Sequence, residues 1–241
     1  MNSVYRHHRL TLFTMQDPRA PLTPDRLVAV SRALLVEGGP DAVVVREVAR
    51  RLSVTAPALY KHVNGREDLL TLLIAACNDE VASVCAAARD CCAGDDYEAQ
   101  LRAATWAFRG WALANRPEFG LVYGTPVPGY TAPVEGPTVA SARRFGDVFA
   151  AIYVGLWRTG RLRVPERSEL PEQLAEELEA NALHSAQGLS AGALYQFAVG
   201  WHRMLGLVSV EVAGHLAWAL ADTEGFVRRQ LDDLAEDLLL G

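Results

Sequence analysis

Apolar residues recur at helical spacing from residue 27 to the end of the chain. Period-2 alternation between turn residues is nearly absent, so the pattern predicts an all-α protein. A first helix opens at Thr23-Pro24-Asp25, with a hydroxyl to cap it, proline at the first helical position and an acid in the first turn. Leu27, Val30 and Leu34 line one face, and Glu37-Gly38-Gly39-Pro40 ends it. A short helix over about 45–52 turns Val48, Ala49 and Leu52 inward. Thr55 caps a third, equally short, which tolerates Pro57 because an N–H in the first turn has no helical partner. A long helix over about 65–89 starts with Glu67 and Asp68 in its first turn. Further helices are predicted at about 96–115, 137–160, 171–187, 190–213 and 222–239, and a stiff loop with four prolines fills 124–137. The one β-branched patch, Ala42 to Val45, is bracketed by helix signals.

Two short helices joined by Ser53-Val54 have the spacing of a helix-turn-helix. Thr55, Ala56, Pro57 and Ala58 are small, so the start of the second helix can approach base edges closely. Tyr60, Lys61 and His62 follow as donors for phosphates or bases. Charge sharpens this reading. The chain carries a net −6, yet residues 1–70 hold ten Lys/Arg against seven Asp/Glu, and 46–66 hold five against one. A basic module on an acidic body is the footprint of a protein that holds nucleic acid at one end. The competing reading is a helical protein-interaction module without specific DNA binding, its basic end meeting an acidic partner; steep salt dependence on duplex DNA separates the two.

Residues 23–73 resemble the DNA-binding domain of the TetR family of bacterial repressors. The resemblance rests on Val45-Arg46-Glu47-Val48-Ala49-Arg50-Arg51-Leu52, on Val54-Thr55 followed by Leu59-Tyr60 and His62, and on Arg66-Glu67 with Leu69. Ser53 stands where that family often has glycine, Val44 where it has a Ser/Thr cap, Val63 where it has phenylalanine and Gly65 where it has a serine cap. The run from Trp201-His202 to Gly206 is similar to the W-x-x-x-H-G motif of a C-terminal ligand-domain subgroup, with the histidine displaced. Carried over, the resemblance implies that Arg46, Thr55, Tyr60, His62 and Arg66 hold phosphates, while Ala56, Pro57 and Lys61 meet bases. It also implies a homodimer on a palindromic double-stranded operator, released by a small-molecule effector.

The organisation expected is a disordered arm over 1–22, a three-helix DNA-binding domain over 23–70 and a ligand-binding and dimerisation domain over 71–241. Tyr and Trp residues around the proline loop favour a pocket for a flattish, largely apolar ligand. Trp106, Tyr123, Phe149 and Tyr153 would line it, with His184 and His202 as polar anchors unless either is a core histidine. Gly206, Ser209 and Ala213 form a small stripe, and Leu231, Leu234 and Leu238 an apolar face; both suit a dimer interface, the alternative being intrachain core.

The apolar region 191–220 raises a membrane span, but Arg203 and Glu211 interrupt it, so no membrane partner is expected. Glu211 and His215 lie four apart, yet no second pair joins them, and no HExxH, Ser/His/Asp or Gly-rich phosphate motif occurs. No enzyme, metal or cofactor is expected. Cys77, Cys85, Cys91 and Cys92 show no metal spacing and read as reduced thiols of a cytoplasmic protein, with a redox role open for the Cys91–Cys92 pair.

Overall fold

Thr23 caps the first helix as its sequence predicts, its Oγ1 accepting from the Arg26 amide at 3.4 Å. The computed structural model describes residues 21–182, 186 and 188–239, so residues 1–20, most of the expected arm, and His184 lie outside it. The described helices are α1 (Pro24–Gly38), α2 (Val45–Leu52), α3 (Ala56–Leu59), α4 (Arg66–Asp90), α5 (Tyr97–Ala114), α6 (Arg116–Tyr123), α7 (Pro137–Arg158), α8 (Glu172–Ala180), α9 (Ala191–Val212) and α10 (Thr223–Leu238). Among these residues the only β pairing is an isolated antiparallel bridge between Leu162 and Leu239. Gly39 ends α1 at φ 72° and ψ −173°, a conformation essentially confined to glycine. The β-branched patch enters a single 3₁₀ turn over Pro40–Ala42 and then α2.

The helices pack as two units. The first holds the residues up to Asn78 together with Pro117–Ser141; the second holds Asp79–Arg116 and the chain from Ala142 onward. In the first, Leu27 and Leu34 of α1, Val48 and Leu52 of α2, Leu59 of α3 and Leu73 of α4 are fully buried. Helix α6, for which the sequence pattern predicts no element, adds Phe119 and Leu121 to this core. Polar bonds tie residues 117–141 to α1 and α4. The Arg32 Nε lies 3.7 Å from the Glu118 carboxylate, and the Tyr130 and Thr71 hydroxyls meet at 3.0 Å. The Tyr123 hydroxyl donates to Asn78 Oδ1 at 3.2 Å, and Asn78 Nδ2 donates to Ser141 Oγ at 3.3 Å.

In the second unit α5, α8 and α10 pack on α9, and α7 contributes Phe145, Phe149, Tyr153 and Leu156 to the buried side. Aromatic rings run through this core: Phe145 lies 5.0 Å from Trp201, and Tyr153 meets Phe197 edge-on at 5.2 Å. Arg109 of α5 and Glu211 of α9 form a bidentate pair at 2.8 and 2.5 Å, with side chains only 9% and 7% exposed. One described helix is long and apolar enough to cross a membrane. It is α4 and not the 191–220 region, and half of its most apolar window is buried within the protein.

Candidate functional site

Helices α2 and α3 are joined by a turn whose geometry settles the question Ser53 poses. Ser53 adopts φ 56° and ψ 36°, the only described non-glycine residue with positive φ. Its amide donates to Arg50 O at 3.2 Å and the Val54 amide to Ala49 O at 3.0 Å, which together form a Schellman motif. The left-handed residue thus stops α2 and aims the chain into α3, at the steric cost a glycine would avoid. Val44 precedes α2 in extended conformation and caps nothing with its side chain. Thr55 opens α3, accepting from the Ala58 amide at 3.3 Å. The hydroxyl proton of Thr55 stays available to a phosphate. At the start of α4, Asp68 accepts from both the amide and the Nδ2 of Asn64 at 2.8 Å, which holds the preceding turn against the helix.

Burial sorts the residues of this element by role. Leu59 and Val63 face inward, while Thr55, Pro57, Tyr60, Lys61 and His62 are exposed together, Tyr60 by 55%. Ala56 is half-buried and Arg46 exposed. The basic surplus is smaller than the sequence count. Arg50 forms two bonds to Glu47 at 2.9 and 2.6 Å, and Arg51 is clasped by Glu37 and Glu47. The Arg50 hydrogen bond, more than any other influence, holds the Glu47 carboxyl down to about 2. Arg66, expected on a phosphate, is instead engaged within its own unit, because a guanidinium beside carbonyls and a carboxylate is best satisfied there. It donates to Pro40 O and Asp41 at 3.1 Å and to Pro128 O at 3.5 Å. Arg46 and Lys61 are the basic residues of 46–66 that make no ion pair among the described residues.

Tyr123 belongs to the first unit, whereas Trp106, Phe149 and Tyr153 belong to the second. His202 is exposed, its Nδ1 2.7 Å from Ala198 O, and the residue that turns inward at that point is its neighbour Trp201. One residue is a rotation of about 100° on a helix, and the pairing of Phe197 with Trp201 at i,i+4 was the signal available. In the second unit a groove of about 290 Å³ lies between α5 and α10, with Trp106 and Arg228 on its wall. An adjoining space of about 10 Å³ is lined by Phe149, Tyr153, Phe197 and Trp201, and the two share Leu101, Thr105 and Leu234.

Leu231, Leu234 and Leu238, expected at a dimer interface, are instead buried in their own chain, because α10 turns its apolar face onto the helices of its unit. Gly206 and Ala213 are exposed and Ser209 is half-buried. Glu211 is occupied by Arg109, which removes the Glu211–His215 metal reading, and no metal-ligand cluster occurs among the described residues.

Residues 27–73 match the family model for bacterial regulatory proteins of the tetR family, and residues 101–234 match the tetracyclin repressor-like C-terminal domain. An HTH-type transcriptional regulator of Mycobacterium tuberculosis is 29% identical over 202 residues, which cover 84% of this chain and 86% of the relative. A protein of unknown function from a Rhodococcus species has the same fold, with a TM-score of 0.68 at 20% identity over 93% of this chain and 100% of that one. So does a TetR variant from Acinetobacter baumannii, solved in complex with minocycline, with a TM-score of 0.53 at 21% identity over 90% and 96%. The chain therefore belongs to the tetR family of bacterial regulatory proteins and is a DNA-binding transcriptional regulator, not an enzyme.

Proposed function

We propose that this regulator is a cytoplasmic repressor that binds a palindromic operator as a homodimer and leaves it when a small, largely apolar molecule occupies the second unit. The observation that carries the DNA half is the exposed cluster Thr55, Pro57, Tyr60, Lys61 and His62 at the start and flank of α3, backed by buried Leu59 and Val63. In it Thr55, Tyr60, His62 and Arg46 take phosphates. Lys61 reads bases, with Ala56 and Pro57 against thymine methyls. Two copies read half-sites about 34 Å apart, so a small change in their separation is enough to release DNA. Helix α4 is continuous from Arg66 in the first unit to Asp90 in the second, and provides a path for that change. Minocycline bound to the Acinetobacter relative supports the effector half.

The test is selection of bound fragments from random duplex DNA, followed by binding of two variants. An inverted repeat is expected. Lys61→Ala then loses more affinity for that repeat than for random DNA, and Tyr60→Phe weakens both. Equal losses for Lys61→Ala on both DNAs would remove its base-reading role.

A further inference from the structure

We propose that the second unit takes a neutral aromatic molecule bearing a carbonyl-type oxygen, its ring in the α5–α10 groove beside Trp106 and its oxygen reaching the hydroxyls of Thr105 and Tyr153. This rests on the reading that the second unit holds the effector, and gives that effector a site and a chemical class.

Two side chains define the polar end. Thr105 and Tyr153 are 5% and 3% exposed, and both line the aromatic space behind the groove. Neither hydroxyl makes a hydrogen bond among the described residues. Each hydroxyl therefore has a donor to offer an acceptor oxygen on a ligand. Gly200 lets the Tyr153 hydroxyl sit against the helix, since a Cβ there would stand 2.0 Å from its oxygen. Burial also raises the Tyr153 pKa, so the phenol remains a donor.

The same enclosure selects against an anion, because a carboxylate there would lose its hydration without a cation to replace it. The guanidiniums around the groove are already matched. Arg109 is paired with Glu211, Arg102 with Glu98 and Asp232, Arg228 with Glu224, and Arg203, whose charge reaches Tyr153, with Asp237. The ring end is set by Trp106. Arg109 lies 4.5 Å from its centroid and is fixed by its buried pair, whereas the exposed Arg228 covers it at 4.4 Å through a surface contact that a flat ring can displace. At about 290 Å³ the groove stands near the lower bound, roughly 300 Å³, of small-molecule sites, which suits one or two fused rings. The inner space admits about one water, so Leu234, shared by both, must shift for the ligand oxygen to enter.

The test uses the full chain and two probes: prodan, a neutral naphthalene ketone whose emission moves to the blue in dry surroundings, and 6-dimethylamino-2-naphthoate, in which a carboxylate replaces the ketone group. Prodan is expected to bind saturably with a blue shift, and the naphthoate about tenfold or more weaker. Tyr153→Phe and Thr105→Val should each weaken prodan about three- to tenfold, the worth of one neutral hydrogen bond. Circular dichroism and thermal melts establish that both variants fold. No saturable prodan binding, equal binding of the naphthoate, or wild-type affinity in both hydroxyl variants overturns the site. Failure of the repressor reading looks different: prodan and the variants behave as expected while no ligand alters operator affinity.

Discussion

Replacing Glu211 by alanine strands Arg109 inside the second unit, and the structure sets the size of the penalty. Both side chains are more than nine-tenths buried, the contact is bidentate at 2.8 and 2.5 Å, and Trp106 closes on the guanidinium at 4.5 Å. The lost carboxylate cannot be replaced by bulk water at that depth. Removing one partner of such a pair costs about 3–5 kcal/mol, most of it for the charge left behind. For a chain of this size that lowers the melting temperature by about 6–20 °C. Replacing both partners at once, Arg109→Met with Glu211→Leu, removes the stranded charge and should recover most of the loss. Urea unfolding followed by circular dichroism measures all three proteins. A Glu211→Ala variant within about 1 kcal/mol of wild type would refute the reasoning, since an exposed pair behaves that way. A double variant no better than the single would show that packing around the pair, and not the unpaired charge, carries the effect.

Ser53→Gly relieves the left-handed strain and should stabilise by about 0.5–1 kcal/mol after the entropy of the added glycine, read as a higher urea midpoint. Glu47→Gln releases Arg50 toward phosphate, so the slope of log affinity for duplex DNA against log salt should steepen by about 0.9 for one added contact. The Glu47 carboxyl is depressed to about 2 from 4.5, so its stabilisation of α2 is present above pH 4.5 and lost as pH falls toward 2. Glu47→Gln should therefore flatten the acid titration of stability across that window. Iodoacetamide at pH 8 should label exposed Cys91 and half-buried Cys92. It should spare buried Cys77 and Cys85, whose thiol burial pushes up to about 12 for the latter. Rapid labelling of Cys85 would contradict that burial.

Local rules in the sequence determined most of the helices and the exposed face of α3. Caps, prolines and glycines act within a turn of the chain, so Thr23, Gly39 and Thr55 mark their helix ends without help from the rest of the protein. The small residues at 55–58 with Tyr60, Lys61 and His62 following were equally legible, because a short helix presents its flank by spacing alone. Helix α6 was not, since eight residues with a glycine and a proline carry too little periodicity.

Only the tertiary structure decided where long-range partners fall. It spends Arg50, Arg51 and Arg66 on carboxylates and carbonyls, two of them far along the chain, so counting charges overstated the basic surface. It places Tyr123 with the DNA-binding unit, turns Trp201 inward in place of His202, and buries the leucines of α10 in their own chain. A helical face is visible in a sequence, but which neighbour covers it depends on residues a hundred positions away, as with Arg109 and Glu211.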